Sequence, residues 1–268
     1  MNPEIVKRKA FICCPFDLLV QKHLPGLIAE RINPEIGLNG GILDRFTWPS
    51  FNRVARIIRD EGLRCTIHAP FTDLSLGAID RKIRKITIDR IKKAIDLGSL
   101  FQAESIVCHT GFDHRHYYGS EDTWLGHAID SLDDVVGHAA ACGIPVMLEN
   151  VFELTPDIHQ KIFRAVDSAS LGFCMDTGHQ AVFSKTSMEE WLNSVGDRLG
   201  QIHLHDNLGR HDDHLPIGRG TVNFTGLFEW LVSEGINPIF TLEPHSEKDV
   251  FAAIEGLARL LRLYPSSD

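Results

Sequence analysis

The stretch IHLHDNLGRHDDHLPIGRG (residues 202–220) is the part of the chain from which its fold is best deduced. It places four histidines and three aspartates between an apolar, strand-like segment and a glycine-rich turn. Neutral imidazole nitrogens and carboxylate oxygens are the usual protein ligands of zinc, manganese and related divalent ions. A solvated loop has no need of so many of them, so the stretch predicts a metal site.

Short apolar segments like the one at its start alternate with helix-like segments along the whole chain. Strands are predicted at 10–15, 34–38, 64–68, 105–109, 145–149, 172–176, 201–205 and 239–243. Helices are predicted near 17–31, 51–61, 79–97, 123–142, 156–167, 187–196, 224–234 and 247–262. Eight strand-then-helix units in 268 residues predict an α/β fold, the (β/α)8 TIM barrel. An open doubly wound sheet is the alternative, but no glycine-rich phosphate loop follows the first strand.

The alternation of side chains in these strands places the potential metal ligands on the interior face of the barrel. In 201–205, His203 and His205 share one face while Ile202 and Leu204 share the other. A barrel buries both faces, one against helices and one inside, so the polar face is the interior one. The same parity puts a potential ligand at the ends of five other strands: His68, His109, Glu149, Asp176 and Glu243. Crowded carboxylates and imidazoles would repel or desolvate one another unless cations neutralised them.

The length, composition and charge of the chain limit its domain number, location and partners. We expect one TIM-barrel domain over 1–268, with a frayed C-terminal tail from about residue 265. The first residues lack a signal-peptide pattern and no segment could span a bilayer, so a cytoplasmic protein without membrane partners is expected. The net charge of −9 does not favour non-specific binding of polyphosphates. The six cysteines form no CxxC motif, and Cys65, Cys108 and Cys174 are predicted to be buried thiols.

Seven short motifs give the chain a resemblance to the xylose isomerase-like TIM-barrel superfamily. They are CTIHAPF (65–71), VCHTGF (107–112), MLENV (147–151), MDTGH (175–179), HLHD (203–206), DDHLPIGRG (212–220) and TLEPH (241–245). This superfamily contains sugar isomerases and epimerases, and also the endonuclease IV type of apurinic/apyrimidinic endonuclease. The order and placement of the motifs carry the resemblance over most of the chain.

The resemblance to the epimerases implies one divalent ion, zinc or manganese, bound by Glu149, Asp176, His203 and Glu243. It also implies that Glu149 and Glu243 act as the catalytic acid and base in proton transfer next to a carbonyl. The substrate would be a small sugar or sugar phosphate.

The resemblance to the endonuclease IV type implies five further ligands and a cluster of three zinc ions that cleaves a phosphodiester of abasic DNA. Matches for these ligands are present at His68, His109, His179, Asp212 and His214. In an enzyme with a single ion these five residues would line the sugar pocket instead. The loop after His68 carries no lysine or arginine, which disfavours DNA.

The sequence therefore favours a metal-dependent isomerase or epimerase with one to three ions per chain. The phosphodiesterase is the alternative, and a binding protein that keeps the metal without turnover is a third. Phe71, His205 and Arg219 are predicted to contact the substrate. A homodimer through the barrel helices is also expected.

Overall fold

In the computed structural model, which describes residues 2–265, eight parallel strands close into a barrel in the order β1 to β8. The strands are β1 Phe11–Pro15, β2 Asn33–Gly37, β3 Thr66–His68, β4 Ile106–His109, β5 Val146–Glu149, β6 Leu171–Asp176, β7 Leu199–Leu204 and β8 Ile239–Leu242. Hydrogen bonding between β8 and β1 completes the ring. The predicted TIM barrel is confirmed, and every strand lies within two residues of its predicted bounds.

Helices surround the barrel. They are α1 Pro3–Lys9, α2 Phe16–Leu18, α3 Leu24–Glu30, α4 Gly40–Arg45, α5 Trp48–Asp60, α6 Arg81–Phe101, α7 Glu121–Cys142, α8 Asp157–Ala165, α9 Thr177–Phe183, α10 Met188–Val195, α11 Phe224–Glu234 and α12 Glu247–Leu263. A π-helical turn, Leu19–His23, joins α2 to α3, so the helix predicted near 17–31 is interrupted. Helices α1, α4 and α9 were not predicted. The predicted frayed tail lies almost wholly outside the described residues.

The hydrophobic core lies mainly between the strands and the helices. A separate small apolar cluster, Val107, Met147 and Cys174, lies inside the barrel. The register of the strands aligns the interior polar residues, because His109 pairs with Glu149 and Asp176 pairs with His203 across neighbouring strands. Among residues 2–265, no helix combines the length and apolar character needed to cross a bilayer.

Candidate metal centre

Nine predicted ligands converge at the carboxyl ends of the strands. Each of His68, His109, Glu149 and Asp176 is the last residue of its strand. The other five are His203 near the end of β7, Glu243 just after β8, His179 in the first turn of α9, and Asp212 and His214 in the loop after β7. The sequence folds this way because parallel strands end at one rim of a barrel.

Three carboxylates surround one imidazole nitrogen, His203 Nδ1. It lies 3.1 Å from Glu243 Oε1, 3.5 Å from Glu149 Oε1 and 3.9 Å from Asp176 Oδ2. Among residues 2–265 this buried nitrogen has no hydrogen-bond partner. A buried polar atom without a partner costs free energy, which a cation between the imidazole and the carboxylates would remove. These four residues therefore fit a divalent ion with nitrogen and oxygen ligands.

Glu35 holds the opposite side of the His203 ring. Its Oε1 is 3.1 Å from His203 Nε2, and its Oε2 accepts hydrogen bonds from Thr66, Gln201 and Thr241. A carboxylate at one ring nitrogen keeps the proton there and leaves the lone pair of the other nitrogen for a metal. Glu35 is not among the residues predicted from the sequence. The alternation of side chains could have identified Glu35, because in NPEIG (residues 33–37) this glutamate lies on the interior face of β2.

Glu35→Gln is expected to weaken divalent-metal binding by about 10–100-fold, the usual effect of losing a carboxylate behind a histidine ligand. The neutral amide no longer favours the Nε2–H tautomer of His203, so Nδ1 is less available. Chelator competition measures this on protein stripped of metal. Ser105→Ala is the matched control, since Ser105 contacts Gln201 at 2.6 Å and not Glu35 itself. Equal affinities for Glu35→Gln and the unsubstituted protein would contradict this role.

A second group of ligands lies on β3 and β4. Oε2 of Glu149 is 3.2 Å from His68 Nε2 and 3.1 Å from His109 Nε2. The Nδ1 of His68 donates to the carbonyl of Ala69 at 3.0 Å, which leaves Nε2 as the free lone pair. These atoms fit a second cation.

A third group joins α9 to the loop after β7. Oδ2 of Asp212 lies 3.4 Å from His179 Nε2 and 3.1 Å from His214 Nε2. Backbone carbonyls again fix the tautomers, because Nδ1 of His179 donates to Asn150 and Nδ1 of His214 donates to Glu243. The Nε2 atoms of His179 and His214 are therefore free to bind a cation beside Oδ2 of Asp212.

Glu149 connects these groups. Its Oε2 faces His68 and His109, whereas its Oε1 faces His179 Nδ1 at 3.2 Å and His203 Nδ1 at 3.5 Å. A carboxylate with one oxygen toward each of two ligand groups has the geometry of a bridging ligand. The centre can accommodate more than one ion.

The titration of these side chains reflects their mutual charge. Burial lowers the pKa of His203, but the carboxylates of Glu35, Glu243 and Glu149 raise it well above its ordinary value. For the Glu149 carboxylate, burial raises the pKa, yet the nearby imidazoles hold it well below the usual range. Without a cation, protons on imidazoles balance the carboxylates.

The residues predicted to contact the substrate lie in different surroundings. Phe71 lines the cavity above the ligands and stacks on His109, with ring centroids 4.3 Å apart. His205 is buried, with Nε2 3.0 Å from Oδ1 of Asp176, a position from which it would orient that carboxylate. Arg219 is exposed, and its nearest acidic partner is Asp249 at 3.6 Å. These three assignments stay predictions.

The cavity has a volume of about 1120 Å³ and is open to solvent. Metal-ligand candidates form one wall, and apolar side chains of the α2–α3 segment and α12, among them Leu18, Leu27 and Phe251, form the other. His245, the last residue of the motif TLEPH, lines the same cavity and stacks on His214 with ring centroids 3.7 Å apart. The space admits a small carbohydrate beside the ligands.

Comparison with proteins of known sequence gives two informative relatives. The uncharacterized protein MJ1311 of Methanocaldococcus jannaschii is 29% identical over 204 residues, which are 74% of this chain and 70% of that protein. "Probable endonuclease 4" of Symbiobacterium thermophilum is 21% identical over 282 residues, covering 97% of this chain and 95% of that protein. The similarity thus extends over nearly the whole barrel.

Solved structures show the same fold. A D-tagatose 3-epimerase-like protein superposes with a TM-score of 0.80 at 25% identity, covering 94% of this chain and 97% of that one. The TTHB071 protein of Thermus thermophilus, from a crystal soaked with ZnCl2, gives a TM-score of 0.78 at 25% identity, covering 97% of this chain and 99% of that one.

The family described as xylose isomerase-like TIM barrel matches residues 35–263, which include all nine ligand candidates and Glu35. Sugar epimerases and endonuclease IV-like proteins are both among the proteins similar to this chain. The chain belongs to the xylose isomerase-like TIM-barrel family.

Proposed function

We propose that this protein is a metal-dependent isomerase or epimerase of a small sugar or sugar phosphate. The observation that carries the proposal is the position of Glu149 and Glu243, whose carboxylates approach the same His203 nitrogen at 3.5 and 3.1 Å. Two carboxylates at one metal-binding point can flank a carbon atom bound there. The similarity to a D-tagatose 3-epimerase-like structure supports this choice.

A zinc or manganese ion held by Glu149, Asp176, His203 and Glu243 would supply Lewis-acid stabilisation of negative charge on substrate oxygens. One of the two glutamates removes the proton from the carbon next to the carbonyl. The other returns a proton to the opposite face for epimerisation, or the first returns it to the neighbouring carbon for isomerisation. Phe71 and the apolar wall of the cavity would pack against the carbon chain of the substrate.

Proton exchange with solvent tests this function. Metal-loaded protein is incubated in D2O with a panel of ketoses and ketose phosphates, and NMR follows the hydrogens next to the carbonyl. We expect deuterium at that carbon in at least one substrate, and none with Glu243→Gln. The proposal fails if no sugar exchanges while the protein hydrolyses bis(4-nitrophenyl) phosphate.

The second candidate is a phosphodiesterase of the endonuclease IV type. A specific observation favours it: His68, His109, His179, Asp212 and His214 all converge, and Glu149 faces two groups at once. Clustered ions orient a nucleophile and stabilise a leaving oxygen, so a hydrolase uses all of these residues. DNA with an abasic site would then be the partner, whereas the first function needs only the carbohydrate. A homodimer remains a proposal under either function.

Asp212→Ala separates the two candidates. If a single ion at His203 carries the reaction, we expect sugar turnover to stay within about tenfold of the unsubstituted protein, because Asp212 contacts His179, His205 and His214 and not the four residues around His203 Nδ1. A three-ion hydrolase would lose about 100-fold or more. The adjacent Asp213→Ala is the matched control. Metal analysis runs in parallel, with one tightly bound ion expected for the isomerase and three for the hydrolase.

A further inference from the structure

The seam between α6 and α7 carries a second cluster of metal-ligand side chains. Asp96 on α6 faces His138 and Cys142 on α7, and His138 Nε2 lies 2.7 Å from Asp96 Oδ1. One ligand atom from each of the three residues lies within 4.8 Å of the other two. His138 and Cys142 are four residues apart, so successive turns of one helix present them on the same face.

This cluster lies far from the barrel mouth, the end where the carboxyl ends of the strands hold the candidate metal centre. Helices of a (β/α)8 barrel run back against the strands, and Cys142 is the last residue of α7. The cluster is therefore at the amino-terminal end of the barrel, opposite the candidate metal centre. Residues at that end of the fold serve stability, whereas catalysis belongs to the other end.

The neighbouring turn of the seam shows what an ordinary polar contact looks like here. Lys92 on α6 pairs with Asp134 on α7 at 2.7 Å, one helical turn from Asp96 and His138. That pair is complete by itself. The Asp96 turn instead combines a carboxylate, an imidazole and a partly exposed thiol, a set with affinity for zinc.

We propose that Asp96, His138 and Cys142 bind a zinc ion that links α6 to α7. Thiolate and imidazole ligands of tetrahedral zinc stand about 3.5 Å apart, as follows from Zn–S and Zn–N bonds of about 2.3 and 2.0 Å. Small rotations of three half-exposed side chains on two long helices reach that spacing. Zinc displaces the thiol proton of Cys142 to solvent on binding, and water takes the fourth position.

Cobalt(II) is the probe, because a thiolate ligand gives it a charge-transfer absorption band in the near ultraviolet that nitrogen and oxygen ligands do not. Protein kept reduced with a non-thiol reductant is titrated with Co²⁺ beyond the capacity of the barrel-mouth centre. We expect the band in the unsubstituted protein, its loss in Cys142→Ser and at least a tenfold weaker cobalt affinity in His138→Ala. Added zinc should remove the band.

Two other cysteines near the mouth serve as controls. Cys13 lines the cavity and Cys174 lies beside His203, so either thiol could report cobalt at the barrel centre. Cys13→Ser and Cys174→Ser should keep the band. A band that survives Cys142→Ser, or the absence of any band in the unsubstituted protein, overturns the proposal. Neither result bears on the sugar reaction, since the cluster shares no residue with the mouth.

Discussion

Glu149→Gln is expected to abolish turnover. The loss of a proton-transferring carboxylate costs about 10²–10⁴-fold in rate, and the weaker metal binding adds to that loss. Both oxygens of Glu149 are engaged, Oε2 by His68 and His109 and Oε1 by His179 and His203. An amide presents one oxygen and one NH2 group, so it cannot serve ligand groups on both sides.

The matched control for this prediction is Glu153→Gln. Glu153 is also a buried glutamate after β5, but it accepts hydrogen bonds from Thr110 and the backbone of Val151 and contacts none of the ligand candidates. We expect Glu153→Gln to keep its metal and to lose less than about tenfold in kcat/KM. Full metal content and activity in Glu149→Gln would refute the role of Glu149. Because an isomerase and a hydrolase both need this carboxylate, the variant tests the centre and not the choice between them.

Removal of the metal is expected to destabilise the protein, and increasingly so at higher pH. In the metal-free protein, neighbouring carboxylates raise the pKa values of four imidazoles against the effect of burial: His68, His179, His203 and His214. A histidine whose folded pKa is raised stabilises the fold fully below its unfolded pKa of about 6.5, and this contribution is lost as the pH rises through the folded value. His109, whose pKa burial lowers, opposes the trend as a single residue.

The carboxylates determine the lower pH limit of this stabilisation. The pKa of Glu149 and that of Asp176 are held down in the folded state, so their contribution exists above about pH 4 and disappears as the pH falls through the folded values. These side chains therefore stabilise the metal-free fold most between about pH 4.5 and 6.5. A bound cation replaces the imidazole protons. The stabilisation that it provides is not lost as the pH rises through the pKa values of the imidazoles.

Thermal melts at pH 6 and pH 8.5, with and without metal, measure this effect. One pKa unit corresponds to about 1.4 kcal/mol, and 1 kcal/mol shifts Tm by roughly 2–4 °C in a domain of this size. We expect the difference in Tm between loaded and metal-free protein to be larger at pH 8.5, by several degrees. A difference that is constant or shrinks with pH would contradict the charge balance described for this centre.

Much of this centre could be predicted from the sequence because it depends on local rules. A strand fixes which side chains face the interior, and parallel strands end at the same rim, so the pattern of His68, His109, Glu149, Asp176 and His203 placed them together. Helices α4 and α9 were missed because each is a short segment just after a strand, where the alternation of strands and long helices gives no signal.

Contacts across the barrel could not be predicted in the same way. The contact between Glu35 on β2 and His203 on β7 depends on how far each strand is shifted along its neighbours. That shift cannot be deduced from the amino-acid sequence. The orientation of His205 could not be predicted either. Its ring turns toward Asp176 and stacks on His214 instead of facing the cavity. Residue type and parity locate the centre, whereas the strand register decides which side chains hold the ligands in place.

Anomalous diffraction tests the central claim most directly. Crystals of protein purified without chelator, or soaked with MnCl2 or ZnCl2, are measured at the absorption edge of the metal. We predict an anomalous peak bounded by Glu149, Asp176, His203 and Glu243, within about 2.0–2.2 Å of their ligand atoms for zinc. A map with no peak among these four side chains, at a metal concentration that saturates binding in solution, would contradict it.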